Sequence, residues 1–131
     1  MTATPPHPLH QDCQQVSQIL ARIGEKWSML VVMLLRDGPR RFNDIKRNTA
    51  GISQQMLTRT LRGRERDGLV NRTIFPTSPP QVEYSLTALG RSMSEPVLAF
   101  GEWVRAHLAE FDTARRRFDQ RAEKAEQLSA P

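Results

Sequence analysis

The stretch Ser53–Val70, SQQMLTRTLRGRERDGLV, decides how the chain is read. Wound at about 100° per residue, it places Met56, Leu57 and Leu61 on one side of a helix. Gln55, Arg59, Arg62 and Arg66 fall on the opposite side, with Thr58 on the flank. Ser53 stands where an N-cap accepts from the free amides of the first turn, and Gly68 ends the helix. A solvated helix side usually mixes charge signs. This one carries no acid before Glu65. Arginine can bond guanine bidentately, glutamine can read adenine, and threonine can touch a thymine methyl or a phosphate. The face therefore suits the major groove of DNA. The first residues of such a helix reach base edges and later ones run beside the backbone. That division makes Gln54, Gln55, Thr58 and Arg59, behind the cap Ser53, the base readers, and Arg62 and Arg66 the phosphate ligands.

One residue breaks the pattern. Arg64 lies on the centre of the apolar stripe, directly after Gly63. The expectation is that Gly63 loosens the last turn, while Arg64 lays its stem over the apolar face and carries its head out past the helix end. A cation there gains about 0.3–1 kcal/mol from the helix dipole, so Arg64→Leu should keep or raise thermal stability.

Upstream, CQQVSQILARIG spaces Val16, Ile19, Leu20 and Ile23 as a helix that ends at Gly24. KWSMLVVMLLRDG is apolar on nearly every side and reads as a central helix packed all round. A short extended piece, Arg40-Arg41-Phe42, leads into a third helix, FNDIKRNT. Downstream, LVNRTIF (69–75) and QVEYSL (81–86) alternate as half-buried strands across the turn PTSPP. Thr87 then caps a long helix with apolar positions from Leu89 to Phe111, and Pro96 should kink it. The expected fold is mainly α (α+β): a winged helix-turn-helix with a β-hairpin wing and a long C-terminal dimerisation helix. Residues 1–12 read as a disordered Pro-rich lead, 13–111 as the DNA-binding and dimerisation domain, and 112–131 as a charged helical tail frayed at its end.

The charge is local. The chain carries +5, yet residues 36–72 alone hold ten basic and four acidic side chains. Arg40, Arg41, Lys46 and Arg47 would flank a duplex from the turn and third helix, adding salt-sensitive affinity without sequence choice. No run approaches the roughly 20 apolar residues of a membrane span. One cysteine fits a reducing compartment, with the cytoplasm the default and no membrane partner expected. No motif of a hydrolase, phosphate-binding loop or paired-carboxylate site is present, so an enzyme is not expected, and no cofactor is called for.

The motifs IGEKW, RFNDIKR, GISQQMLTRTLR, DGLV and PPQVEYSLTALG, with Trp103, resemble the HxlR family of bacterial winged-helix transcriptional regulators, relatives of the MarR group. The resemblance runs from about Cys13 to Trp103. It implies a homodimer joined by its first and last helices and bound to a pseudo-palindromic operator. Such a regulator is expected to act as a repressor. Val16, Ile19, Leu20 and Ile23, with Phe100, Trp103 and Val104, would then face a second subunit. Three departures stand out. Gly63-Arg64 replaces an acidic residue and leucine, Gln81 takes the place of a basic wing residue, and Glu25 stands where a second glycine is common. Gln81 remains the candidate wing contact.

Some members of that family sense oxidants with a cysteine near Cys13, which makes it a redox-sensing candidate beside a small-molecule effector. With no second cysteine, oxidation would end in an intersubunit disulfide, a mixed disulfide or a sulfenic acid. His7, His10 and Cys13 recur every third residue, but three donors in a Pro-broken segment make a poor zinc site, and no metal is expected. The competing reading is a winged-helix protein-interaction module, whose basic face meets an acidic protein and which has no specific operator.

Overall fold

The computed structural model describes residues 12–129. All but Asp12 of the lead expected to be disordered, and two of the three zinc donors considered above, His7 and His10, lie outside them. Among the described residues nine elements follow in order: α1 (Cys13–Ile23), α2 (Lys26–Leu35), β1 (Arg40–Arg41), α3 (Phe42–Arg47), α4 (Gln54–Arg66), β2 (Val70–Phe75), β3 (Gln81–Leu86), α5 (Ala88–Ala106) and α6 (Leu108–Ser129). Contacts divide the chain between Glu95 and Pro96 into two units.

In the first unit one apolar core gathers Val31, Val32 and Leu35 of α2, Ile45 of α3, Leu57 and Leu61 of α4, and Leu69, Val70, Tyr84 and Leu86 around the sheet. Burying each such side chain contributes about 1.5–3 kcal/mol. α2 is not packed all round as its composition suggests. Its buried face is Ser28, Val31, Val32 and Leu35, while Leu30 on another side stays exposed, because the neighbouring elements cover one flank only.

Two local devices set the helix ends. Glu25, at the unusual glycine-replacing position, caps α2 by accepting from the amides of Trp27 and Ser28 at 3.2 and 3.3 Å and from the Ser28 hydroxyl at 3.0 Å. At the end of α4, Gly68 adopts φ +79°, so the Leu69 amide reaches the Arg64 carbonyl and the Gly68 amide reaches that of Glu65. Only a residue without a Cβ takes that conformation cheaply.

The hairpin forms, with Val70 opposite Leu86 and Phe75 opposite Gln81, but β2 is buried at Val70 alone, so the expected apolar–polar alternation does not hold along it. The extended piece at Arg40–Arg41 proves to be a third strand, antiparallel to β3, which gives the order β1-β3-β2. A knot of bonds closes the hairpin at its base. The Thr87 amide donates to the Leu69 carbonyl at 3.0 Å and its hydroxyl to the Gly68 carbonyl at 2.6 Å. The same hydroxyl accepts from Gly90 at 2.9 Å and so caps α5.

α5 runs through Pro96, the proline expected to kink it, to Ala106. In the second unit the helix expected to reach Phe111 unbroken stops instead at His107. The His107 amide bonds the Val104 carbonyl at 3.0 Å, and its ring Nδ1 takes the Trp103 carbonyl at 2.7 Å. The side chain thus does what a helical amide would have done, and the chain restarts as α6.

Candidate nucleic-acid interface

α4 is built as the wheel requires. Ser53 caps it, accepting from the Met56 amide at 3.1 Å. Leu57, Thr60, Leu61 and Arg64 are buried, whereas Gln54, Gln55, Thr58, Arg59, Arg62 and Arg66 are exposed. Gln54, Gln55, Thr58, Arg59 and Arg62 line one shallow concave surface along the outer side of the helix. Arg59, Arg62 and Arg66 form no ion pair among the described residues, so their charge is available to an acidic partner.

The flanking cations divide. Arg41 and Lys46 are exposed and carry no ion pair among the described residues. Arg47 is exposed with a loose 3.6 Å pairing to Asp44. Arg40 differs. Its guanidinium sits 2.9 Å from Asp44, 3.8 Å from Asp37 and 3.2 Å from the Leu34 carbonyl, and it is largely covered. Arg40 therefore braces the turn into α3, and its charge is mostly answered within the chain. Gln81 begins β3 beside a cleft that also touches Pro39, Arg41 and Asn43. Arg72, not singled out from sequence, is exposed on β2 without an ion pair among the described residues and joins the basic set.

The expectation for Arg64 is overturned. It is 7% exposed. Its head does not pass into solvent but turns toward the junction of α1 and α2. Nη1 donates to the Arg22 carbonyl and to the Ser28 hydroxyl, the latter at 2.6 Å, and Nη2 lies 3.2 Å from Asp67. Asp67 also faces Arg22 at 3.3 Å. The orphan carbonyl at the end of α1 and the Ser28 hydroxyl offer acceptors that no apolar residue could use, and this outweighs an outward path. Gly63 loosens nothing: α4 is continuous to Arg66, and the Asp67 amide bonds the Gly63 carbonyl at 3.0 Å.

On α1 no residue is buried; Ile19 and Leu20 are 50% and 60% exposed, while Ile23 packs partly on its own core and Val16 is half-buried. On α5, Phe100 and Trp103 are 61% and 50% exposed, with Val104 half-buried. Cys13 is exposed at the first position of α1. Among the described residues no helix is long and apolar enough to cross a membrane, and no cluster of His, Cys, Asp and Glu could hold a metal ion.

A helix pair followed by a β-hairpin wing, with a polar and basic outer face on its second helix, defines a winged helix-turn-helix DNA-binding protein. The description "HxlR-like helix-turn-helix" matches residues 22–112, and the chain belongs to that family. It is a transcriptional regulator with a helix-turn-helix DNA-binding domain. The HTH-type transcriptional regulator YtfH of Escherichia coli (strain K12) is 40% identical over 105 residues, spanning 80% of this chain and 81% of that one. The solved structure of a YtfH regulator from Salmonella typhimurium is similar with a TM-score of 0.72 at 38% identity, covering 77% of this chain and 90% of that one. The redox regulator HypR in its reduced form is similar with a TM-score of 0.71 at 38% identity, covering 76% and 98%.

Proposed function

We propose that the protein is a sequence-specific regulator, probing the major groove with α4, and acts in the cytoplasm as a homodimer on a pseudo-palindromic operator, as a repressor. The observation that carries this reading is the concave outer side of α4, where Gln54, Gln55, Thr58, Arg59 and Arg62 stand together. Base-reading side chains come first along the helix and unpaired arginines follow. The exposed apolar residues of α1 and, separately, of α5 support a homodimer, since such patches mark association surfaces. The exposed Cys13 and the likeness to a redox regulator support control by oxidants, with a small-molecule effector as the other signal.

Selection of genomic DNA fragments by the full chain tests this. A two-half-site sequence should be enriched and held about 10³-fold or more tighter than random DNA. Gln55→Ala and Arg59→Ala should each reduce that discrimination by about 1–3 kcal/mol. Recovery of no common site would point instead to the protein-interaction module. For the signal, operator release by diamide should vanish in Cys13→Ser; an unchanged response would remove Cys13 from the mechanism.

A further inference from the structure

The family match ends at residue 112, yet α6 continues to Ser129. This helix is unexplained by its own chain: none of its residues is buried, and no ion pair among the described residues involves it. A helix without a packed face or internal ion pairs needs another source of stability.

Its sequence names one. Leu108, Phe111, Arg115, Phe118, Ala122, Ala125 and Ser129 follow each other at alternating steps of three and four, the seam of a coiled coil. Phe118, in the middle, is 64% exposed. One shoulder of the seam is acidic at every seventh residue: Asp112, Asp119 and Glu126. The other shoulder carries Arg121, five residues before Glu126. At the N-terminal end the seam joins an aromatic patch, where Trp103 meets Phe111 edge-on at 5.9 Å and stacks on His107 at 4.4 Å.

We infer that α6 pairs in parallel and in register with α6 of a second copy, forming a short two-stranded coiled coil outside the family domain. Charge selects both partner and direction. Side by side in parallel, Arg121 of each copy meets Glu126 of the other across the seam. Head to tail, the acidic shoulders would face each other, Asp119 against Asp119 and Asp112 against Glu126, which is repulsive. Within the seam Arg115 faces Arg115 of the other copy, a single like-charge layer that costs stability while its polar character restricts the register. The small Ala122 and Ala125 make the seam too weak to hold two free chains. It works because the homodimer already proposed, on which this inference rests, holds the two tails at high effective concentration.

The test uses the full chain with Cys13→Ser and one new cysteine. Ala125→Cys lies in the seam and Gln120→Cys on the far side of the helix. In a parallel in-register pair the two Ala125→Cys sites approach within disulfide reach. Mild oxidation should then link the Ala125→Cys chains at least about tenfold faster than the Gln120→Cys chains. Equal rates, or no linkage at either site in a chain that sediments as a dimer, would overturn the coiled coil and leave the homodimer standing. Sedimentation as a monomer would overturn both. Independently, Phe118→Glu should weaken the dimer about tenfold; because Phe118 is exposed, the fold of each chain is spared, and unchanged affinity would also overturn the inference.

Discussion

Arg64 shows what a buried guanidinium does when its neighbours are helix ends. It ties the last carbonyl region of α1, the first turn of α2 and the end of α4 through Arg22, Ser28 and Asp67. Ser28 passes the bond on to the α2 cap, Glu25. Truncation and isosteric replacement separate packing from these bonds. Arg64→Ala should lower unfolding free energy in urea by about 2–4 kcal/mol, losing both volume and charge-assisted bonds. Arg64→Leu restores apolar volume but leaves the Arg22 carbonyl, the Ser28 hydroxyl and Asp67 without this donor, and should lose about 1–3 kcal/mol, the share of the bonds. Equal stability of Leu and wild type would mean that the bonds contribute nothing. One residue back, a Cβ on Gly63 would meet nothing within 4 Å, and its backbone is helical. Gly63→Ala should therefore stabilise by about 0.5–1 kcal/mol through lower chain entropy, read as a rise in Tm.

Among the elements, the junction of the hairpin with α5 is the tightest place. A Cβ on Gly90 would press into the Leu69 carbonyl, the same oxygen that accepts from the Thr87 amide. That obstacle is backbone, so no rotamer change can relieve it. Gly90→Ala should destabilise by more than about 3 kcal/mol and broaden the thermal transition, whereas Gly63→Ala does the reverse. The elements themselves were largely legible, because period, cap and turn residues are local. β1 was visible only as an extended piece, since two residues carry no period. The break at His107 was hidden because no proline or glycine marks it; a histidine ring stands in for a backbone donor.

For the molecule as a whole, the outer face of α4 was legible because a wheel needs only spacing to say what points away from a core. What Arg64 touches was not legible: its partners lie 42 and 36 residues away in sequence. The basic surplus was also overread in part. Arg40 and Arg36 are answered by the chain's own carboxylates, Asp44 and Glu95. Charge already neutralised releases few counterions on binding. Arg41→Gln should therefore flatten the dependence of log K on log salt by about one unit, and Arg40→Gln by much less while lowering Tm. Titrations of selected DNA at several salt concentrations would check both, and matching slopes would restore Arg40 as a phosphate ligand.

The bonds from Thr87 to Gly68 and Leu69 fasten the two ends of the hairpin to each other, independently of what the hairpin contains. Val70, Tyr84 and Leu86 stay committed to the core, so the replaceable part is the tip between the strands. Lengthening the exposed tip at residues 76–80 adds only about 0.6 kcal/mol of closure entropy per doubling, and the strain stops at the fastening. α4 and the start of α5 keep their places whatever the tip becomes. Such a scaffold can acquire a new reach along the duplex by editing five exposed residues that lie outside the core.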